Sequence, residues 1–230
     1  MARPTASTRL PPGDEAPRVD GRTRLLDAAE ELMAEHGAFA VSLREINAAA
    51  GQRNGSGLQY HFGGREGLLQ AVITRHMSGV DARRNQMIDE LEAEGRSGDV
   101  RSLVRALVEP LAERLSSTSG RRYLLILMQL RAHVDADGEE WRFASANRGL
   151  VRIGKHFSRL AAGMPPRLVS ERTGQVATFV LQALATRARK VEGRRRASLD
   201  HEAFVANLVD VLVAIAAAPI SKETARLLGR

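Results

Sequence analysis

Apolar positions recur along this chain with the spacing of helices, about 3.6 residues, and no stretch alternates as a half-buried strand does. The first stripe, Leu25, Leu26, Ala29, Leu32 and Met33, predicts a helix that opens near Asp20 and closes at Gly37. A second opens at Ser42, where Glu45 completes a capping box, and passes through Ile46 to about Ala50 before stopping at Gly51. Residues 56–62 predict two helical turns, and 65 to about 94 a long helix with a kink near Ser78 and Gly79. Further helices are predicted over 99–116, 121–134, 139–163, 168–191, 200–217 and 222–228, with Pro110 kinking the first. Residues 1–19 carry four prolines and no helical period, and read as a disordered arm. The expected fold class is all-α.

Composition sharpens this picture. Hydrophobic residues make up 43% of the 230 residues, enough for a sizeable core, whereas aromatics are 4%. The absence of cysteine excludes disulfides, thiol nucleophiles and zinc-thiolate sites within the chain. The first thirteen residues contain no apolar signal-peptide core. The most apolar stretch, 204–220, is broken by Asn207, Asp210 and Pro219, so no membrane span and a cytoplasmic protein are expected. Net charge is +7, yet residues 1–80 hold nine Arg and nine Asp or Glu, a balance of zero. The surplus sits further on, in Arg187, Arg189 and Lys190 and in the run 194–196, which reads either as an electrostatic patch or as a solvated loop between helices.

Three short helices within about 45 residues, the last two joined by a glycine-containing turn, outline a helix-turn-helix. The residues go further. Thr23 to Ala29, then Glu35, His36 and Gly37, then Ser42 to Ile46, and Ala50 with Gly51 lead to Gln59, Tyr60, His61, Phe62 and Gly63, followed by Arg65 to Leu69. In this segment, about residues 21–75, the chain resembles the DNA-binding part of the TetR family of transcriptional regulators. The link through 52–58 is about one residue longer than is usual in that family. The resemblance implies a regulator, in the main a repressor, with three parts: the arm, a helix-turn-helix domain over 20–66, and a helical ligand-binding and dimerisation domain over 67–230. It implies a double-stranded DNA operator, a homodimer and a small-molecule effector of unknown identity, with no cofactor and no membrane.

Groove chemistry assigns roles in the segment. Arg53 suits a bidentate contact to guanine, and Asn54 or Gln59 a contact to adenine. Ser42, Ser56, Tyr60, His61 and Arg65 are donors suited to phosphate oxygens. Gln52 borders the same turn, and Arg44 can reach backbone or base. Such contacts weaken as salt rises.

Other chemistry finds little support. Gly149, Gly154 and Lys155 have the spacing of a phosphate-binding loop, but His156 stands where Ser or Thr should hold magnesium and no strand precedes it. The six histidines, at 36, 61, 76, 133, 156 and 201, show no ligand spacing, so no metal site is expected, and no catalytic signature stands out. Two late segments are apolar around much of their circumference, which demands burial on two sides. Val176, Phe179, Val180 and Leu184 lie in one, and Phe204, Leu208, Val211, Leu212 and Ile215 in the other. A dimer interface, as the resemblance implies, or a monomeric bundle would bury them. The resemblance also places an effector pocket among the middle helices, with Tyr123, Leu127, Met128, His133, Trp141, Phe143, Phe157 and Met164 as candidates. Two readings stand side by side: a DNA-binding regulator, and an all-helical ligand-binding or adaptor protein without operator binding.

Overall fold

The structure, a computed structural model, describes residues 20–52, 56–137, 147–194 and 198–229. The arm at 1–19, Arg53, Asn54, Trp141, Phe143 and the first part of the helix expected over 139–163 lie outside those residues. The described residues form α1 (Gly21–His36), α2 (Leu43–Ala49), α3 (Ser56–Phe62), α4 (Arg65–Ala93), α5 (Val100–Ala112), α6 (Thr118–Asp137), α7 (Arg148–Leu160), α8 (Pro166–Glu192), α9 (His201–Ala216) and α10 (Lys222–Leu228). No strand occurs among them.

The ends of these helices follow from local chemistry. Gly37 closes α1 with φ at 112°, its N–H donating to the Met33 carbonyl over 3.1 Å. Ser42 and Glu45 make the expected box at the start of α2: Ser42 Oγ accepts from the Glu45 amide at 3.2 Å, and Glu45 Oε2 accepts from the Ser42 amide at 2.7 Å. Asp99, Asn147, Asp200 and Ser221 cap α5, α7, α9 and α10, each accepting from the amide three residues on. Each cap satisfies an amide that would otherwise lack an acceptor.

α4 runs unbroken through Ser78 and Gly79. A mid-helix glycine costs only about 1 kcal/mol, and the flanking Ile73, Met77 and Val80 are buried. Pro110 lies inside α5; the helix continues past it and then tightens into a 3-10 turn over Glu113–Ser116. Arg187, Arg189 and Lys190 belong to the last turns of α8 rather than to a loop, where cations meet the negative end of the helix dipole. Arg187 stands over the Phe204 ring at 5.0 Å.

α1 packs against α2, α4 and α6, α4 against α5 and α7, α6 against α8, and α9 against α5 and α8. The core is continuous. It passes from Leu25, Met33, Ile46 and Leu58 through Leu68, Val72 and Ile73 of α4 to Leu107, Leu124, Ile126 and Leu184. The three short helices are therefore seated on the larger bundle through buried apolar surface, the main favourable term in folding.

Candidate nucleic-acid interface

Helix α3 is a two-turn element with one buried residue of consequence, Leu58, 1% exposed. Phe62 is half-buried, and the Arg22 guanidinium of α1 covers its ring at 5.1 Å. Gln52 lies between the start of α1 and the start of α3: its amide approaches both Gly21 and Gly57, so any side chain there would meet it. The turn into α4 is tighter still. A Cβ on Gly67 would come within 1.8 Å of the Phe62 carbonyl oxygen, so only glycine lets α3 end so close to α4.

On this mount Tyr60 projects outward, 85% exposed, with His61 edge-on to it at 5.1 Å. Gln59 is exposed too, its Nε2 donating to the Gly63 carbonyl at 3.2 Å. Arg44 is exposed on α2, and Ser56 opens α3. Two candidates are already engaged. Ser42 Oγ donates to Glu45 Oε2 at 2.6 Å, and the hydrogen bonds from Ser42 hold the Glu45 carboxyl below its ordinary pKa. Arg65 turns inward, donating to the carbonyls of Ala38, at 3.0 Å, and of Val41. Its guanidinium ties α4 to the chain between α1 and α2. The charge of Arg65 is visible in the sequence, but its direction is not.

Sequence reasoning missed Arg22 and the contacts between this unit and α6. Arg22, Thr23, His61, Phe62, Gln70 and Thr74 border a cleft of about 570 Å³ between α1, α3 and α4. Along α6, Ser119 Oγ donates to Glu30 Oε2 at 2.5 Å, Arg122 pairs with Glu31 at 3.1 Å, and Gln129 Oε1 accepts from the Ala38 amide at 2.7 Å. His133 stacks on Phe39 at 4.0 Å. Glu30, only 1% exposed, also meets His76 Nε2 of α4 at 3.0 Å. Burial pushes its carboxyl pKa up, but hydrogen bonds from His76 and Ser119 and the charges of His76 and Arg75 outweigh that, and the net shift is downward. Such polar clusters leave no periodic trace in a sequence.

The described candidates for an effector pocket stand in different surroundings. Tyr123 and Leu127 are in the core, and Tyr123 stacks on His76 at 4.6 Å. Met128 meets Arg189 of α8 through its sulfur at 3.6 Å, and His133 stands at the Phe39 junction. Phe157 and Met164 are half-buried at and beyond the end of α7. The residues 149–155 that mimic a phosphate loop lie within α7, where Gly149 presses on the Arg84 side chain. The apolar candidates of the late helices divide. Val180, Leu184, Leu208 and Leu212 are sealed inside the protomer, at most 3% exposed. Phe179 and Val211 are exposed, and Val176, Phe204 and Ile215 are half-buried. No helix among the described residues is long and apolar enough to cross a membrane.

A short outward-facing helix, clamped by a capped helix on one side and a glycine turn on the other, makes the N-terminal unit a helix-turn-helix of the DNA-binding kind. Residues 25–72 match the tetR family of bacterial regulatory proteins. Over 109 residues the chain is 31% identical to the HTH-type transcriptional repressor KstR2 of Rhodococcus jostii strain RHA1. That match covers 47% of this chain and 50% of the relative, so it spans about half the length of each. The fold is also that of Mycobacterium smegmatis AmtR, at a TM-score of 0.54 and 21% identity over 93% of this chain and 97% of that one.

Proposed function

We propose that the chain is a sequence-specific transcriptional regulator, acting as a repressor: a homodimer that holds a near-palindromic operator through α3 and is released by a small-molecule effector. The observation that carries this reading is the outward presentation of Tyr60 on α3 within a segment that matches the tetR family. Tyr60, His61, Gln59, Arg44 and Ser56 are assigned to the DNA face, with Arg53 and Asn54 of the adjoining link. Gln52 and Arg65 hold the face in place. The helix-turn-helix domain comprises 20–66, and the remainder carries effector binding and dimerisation.

Dimerisation through α8 and α9 uses the exposed Phe179 and Val211 with the half-buried Val176, Phe204 and Ile215, while the sealed leucines support them from within. Two copies of α3 about one DNA turn apart, roughly 34–36 Å, then read the two halves of one site. Release follows from the seam between α1 and α6. Contacts from Ser119 and Arg122 to α1, and from Gln129 and His133 to the chain just after it, couple a displacement of α6 to the DNA-binding unit. An effector that favours a shifted α6 thus disfavours the spacing DNA requires.

The test is selection of genomic fragments by the purified full-length protein, repeated with Arg44→Ala and Tyr60→Ala. A two-fold symmetric site, enriched by the parent and lost or relaxed in both variants, is the expected result. Weak, sequence-blind retention that is equal for all three proteins would refute operator binding.

A further inference from the structure

Outside the seam, the described residues include one buried arginine without a carboxylate partner among them. Arg84 of α4 is 2% exposed, and among the described residues no acid lies within ion-pair distance of it. Its two terminal nitrogens donate to neutral acceptors, Asn147 Oδ1 at 3.1 Å and the Leu107 carbonyl at 3.3 Å, and its Nε is buried with no acceptor. Asp81, one turn away, spends its oxygens on the Gly149 amide at 2.7 Å and on Asn85 Nδ2 at 2.9 Å. Burial lowers the Arg84 pKa to about 10, with Tyr123 and Asp81 opposing, which still leaves it charged at neutral pH.

The neighbours are donors as well. The Tyr123 hydroxyl, fully buried, reaches among the described residues only the sulfur of Met77, at 4.0 Å. Asn147 Nδ2 donates to the same sulfur at 3.1 Å. A thioether is a weak acceptor on a flexible side chain that adapts to fill gaps. Arg114, whose charge also acts on Tyr123, has its own Nε buried without an acceptor. At the junction of α4, α6 and α7, two donors, the Tyr123 hydroxyl and Asn147 Nδ2, therefore end on the sulfur of Met77, a poor acceptor, with the Arg84 guanidinium bonded to the same Asn147. A buried cation and several donors without an anion are costly unless a ligand completes them.

We propose that Arg84, Tyr123 and Asn147 form the receptor for the carboxylate of an apolar monocarboxylic acid, which displaces the Met77 sulfur and acts as the effector. The fork of a guanidinium matches a carboxylate's two oxygens. Leu107, whose carbonyl accepts from Arg84, and Leu127, one turn along α6 from Tyr123, are buried and suit an apolar tail. The position also has an outlet: Tyr123 stacks on His76, and His76 bonds Glu30 of α1, so a shift at Tyr123 reaches the DNA-binding unit in two contacts. This proposal rests on the regulator reading given above and names the chemistry of its effector.

The test is calorimetric titration of the full-length protein with straight-chain monocarboxylates from hexanoate to dodecanoate, each beside the primary alcohol of equal length. The best carboxylate is expected to bind at least about tenfold more tightly than its alcohol, the scale of a lost charge-assisted hydrogen bond. Arg84→Met should abolish that preference, and Tyr123→Phe should weaken carboxylate binding several-fold while leaving a measurable preference. Because Tyr123→Phe keeps the ring, it reports even where Arg84→Met does not fold. Equal binding of acid and alcohol, no binding of either, or a preference that survives in Arg84→Met would each overturn the receptor. Operator retrieval by the unliganded parent is scored separately: its failure sinks the regulator reading, whereas retrieval without a carboxylate preference sinks only the receptor.

Discussion

Arg65 and Arg44 show how far a charged residue's role depends on direction. Both stand in the segment that reads as DNA-binding, and both carry a cation suited to phosphate. Arg65 is folded back onto the Ala38 and Val41 carbonyls, whereas Arg44 is exposed. Arg65→Met should therefore lower the unfolding free energy by about 1–3 kcal/mol, the usual cost of removing a charged donor from part-buried acceptors. Arg44→Ala should leave stability within about 0.5 kcal/mol while weakening DNA binding and reducing the slope of log affinity against log salt by about 1. Urea melts and salt titrations of the two variants distinguish tether from contact; an exchange of the two phenotypes would reverse the assignment. The residue types, Tyr60 and His61 among them, were legible in the sequence because groove chemistry selects them. Orientation was not, because it is decided by acceptors distant in sequence.

Among the elements, helix ends were the most legible. Ser42 with Glu45, Gly37, Asp200 and Ser221 act within a few residues of themselves, and their helices begin or end where the pattern says. The seam between α1, α4 and α6 was illegible, since Glu30, His76 and Ser119 are 43 to 89 residues apart. That seam has a pH signature. Glu30 is held below its ordinary value of 4.5, so the fold favours its ionised form. Its stabilisation is complete above about pH 4.5 and is lost as pH falls through the lower folded value. Glu45, Glu92 and Asp99 are also held low, Asp99 at about 2, so the parent keeps a wider acid slope. Glu30→Gln should be less stable than the parent at pH 7, with the gap closing as the pH falls from about 4.5 through the lower folded value of Glu30. Denaturation midpoints across that range measure it; a constant gap would mean that the Glu30 carboxylate contributes no charge-dependent stability.

At the scale of the whole molecule, the late helices separate folding from assembly. Leu184 has no exposed surface, so Leu184→Ala should destabilise the protomer by about 2–5 kcal/mol. Phe179 and Val211 are 42% and 36% exposed, so Phe179→Glu with Val211→Glu should leave the protomer folded and shift its sedimentation from dimer to monomer. A folded dimer in that double variant would place the interface elsewhere. The sequence showed that these helices are apolar on two sides but not which side the protomer keeps for itself. The measurement that bears most directly on the account is the affinity of the full-length protein for its selected operator against a shuffled fragment, from 50 to 200 mM salt, with Tyr60→Ala alongside. A regulator reading DNA through α3 should prefer the operator by about 10³-fold or more, lose affinity steeply with salt, and lose most of that preference in Tyr60→Ala. Equal affinity for both fragments, unchanged by the substitution, would contradict it.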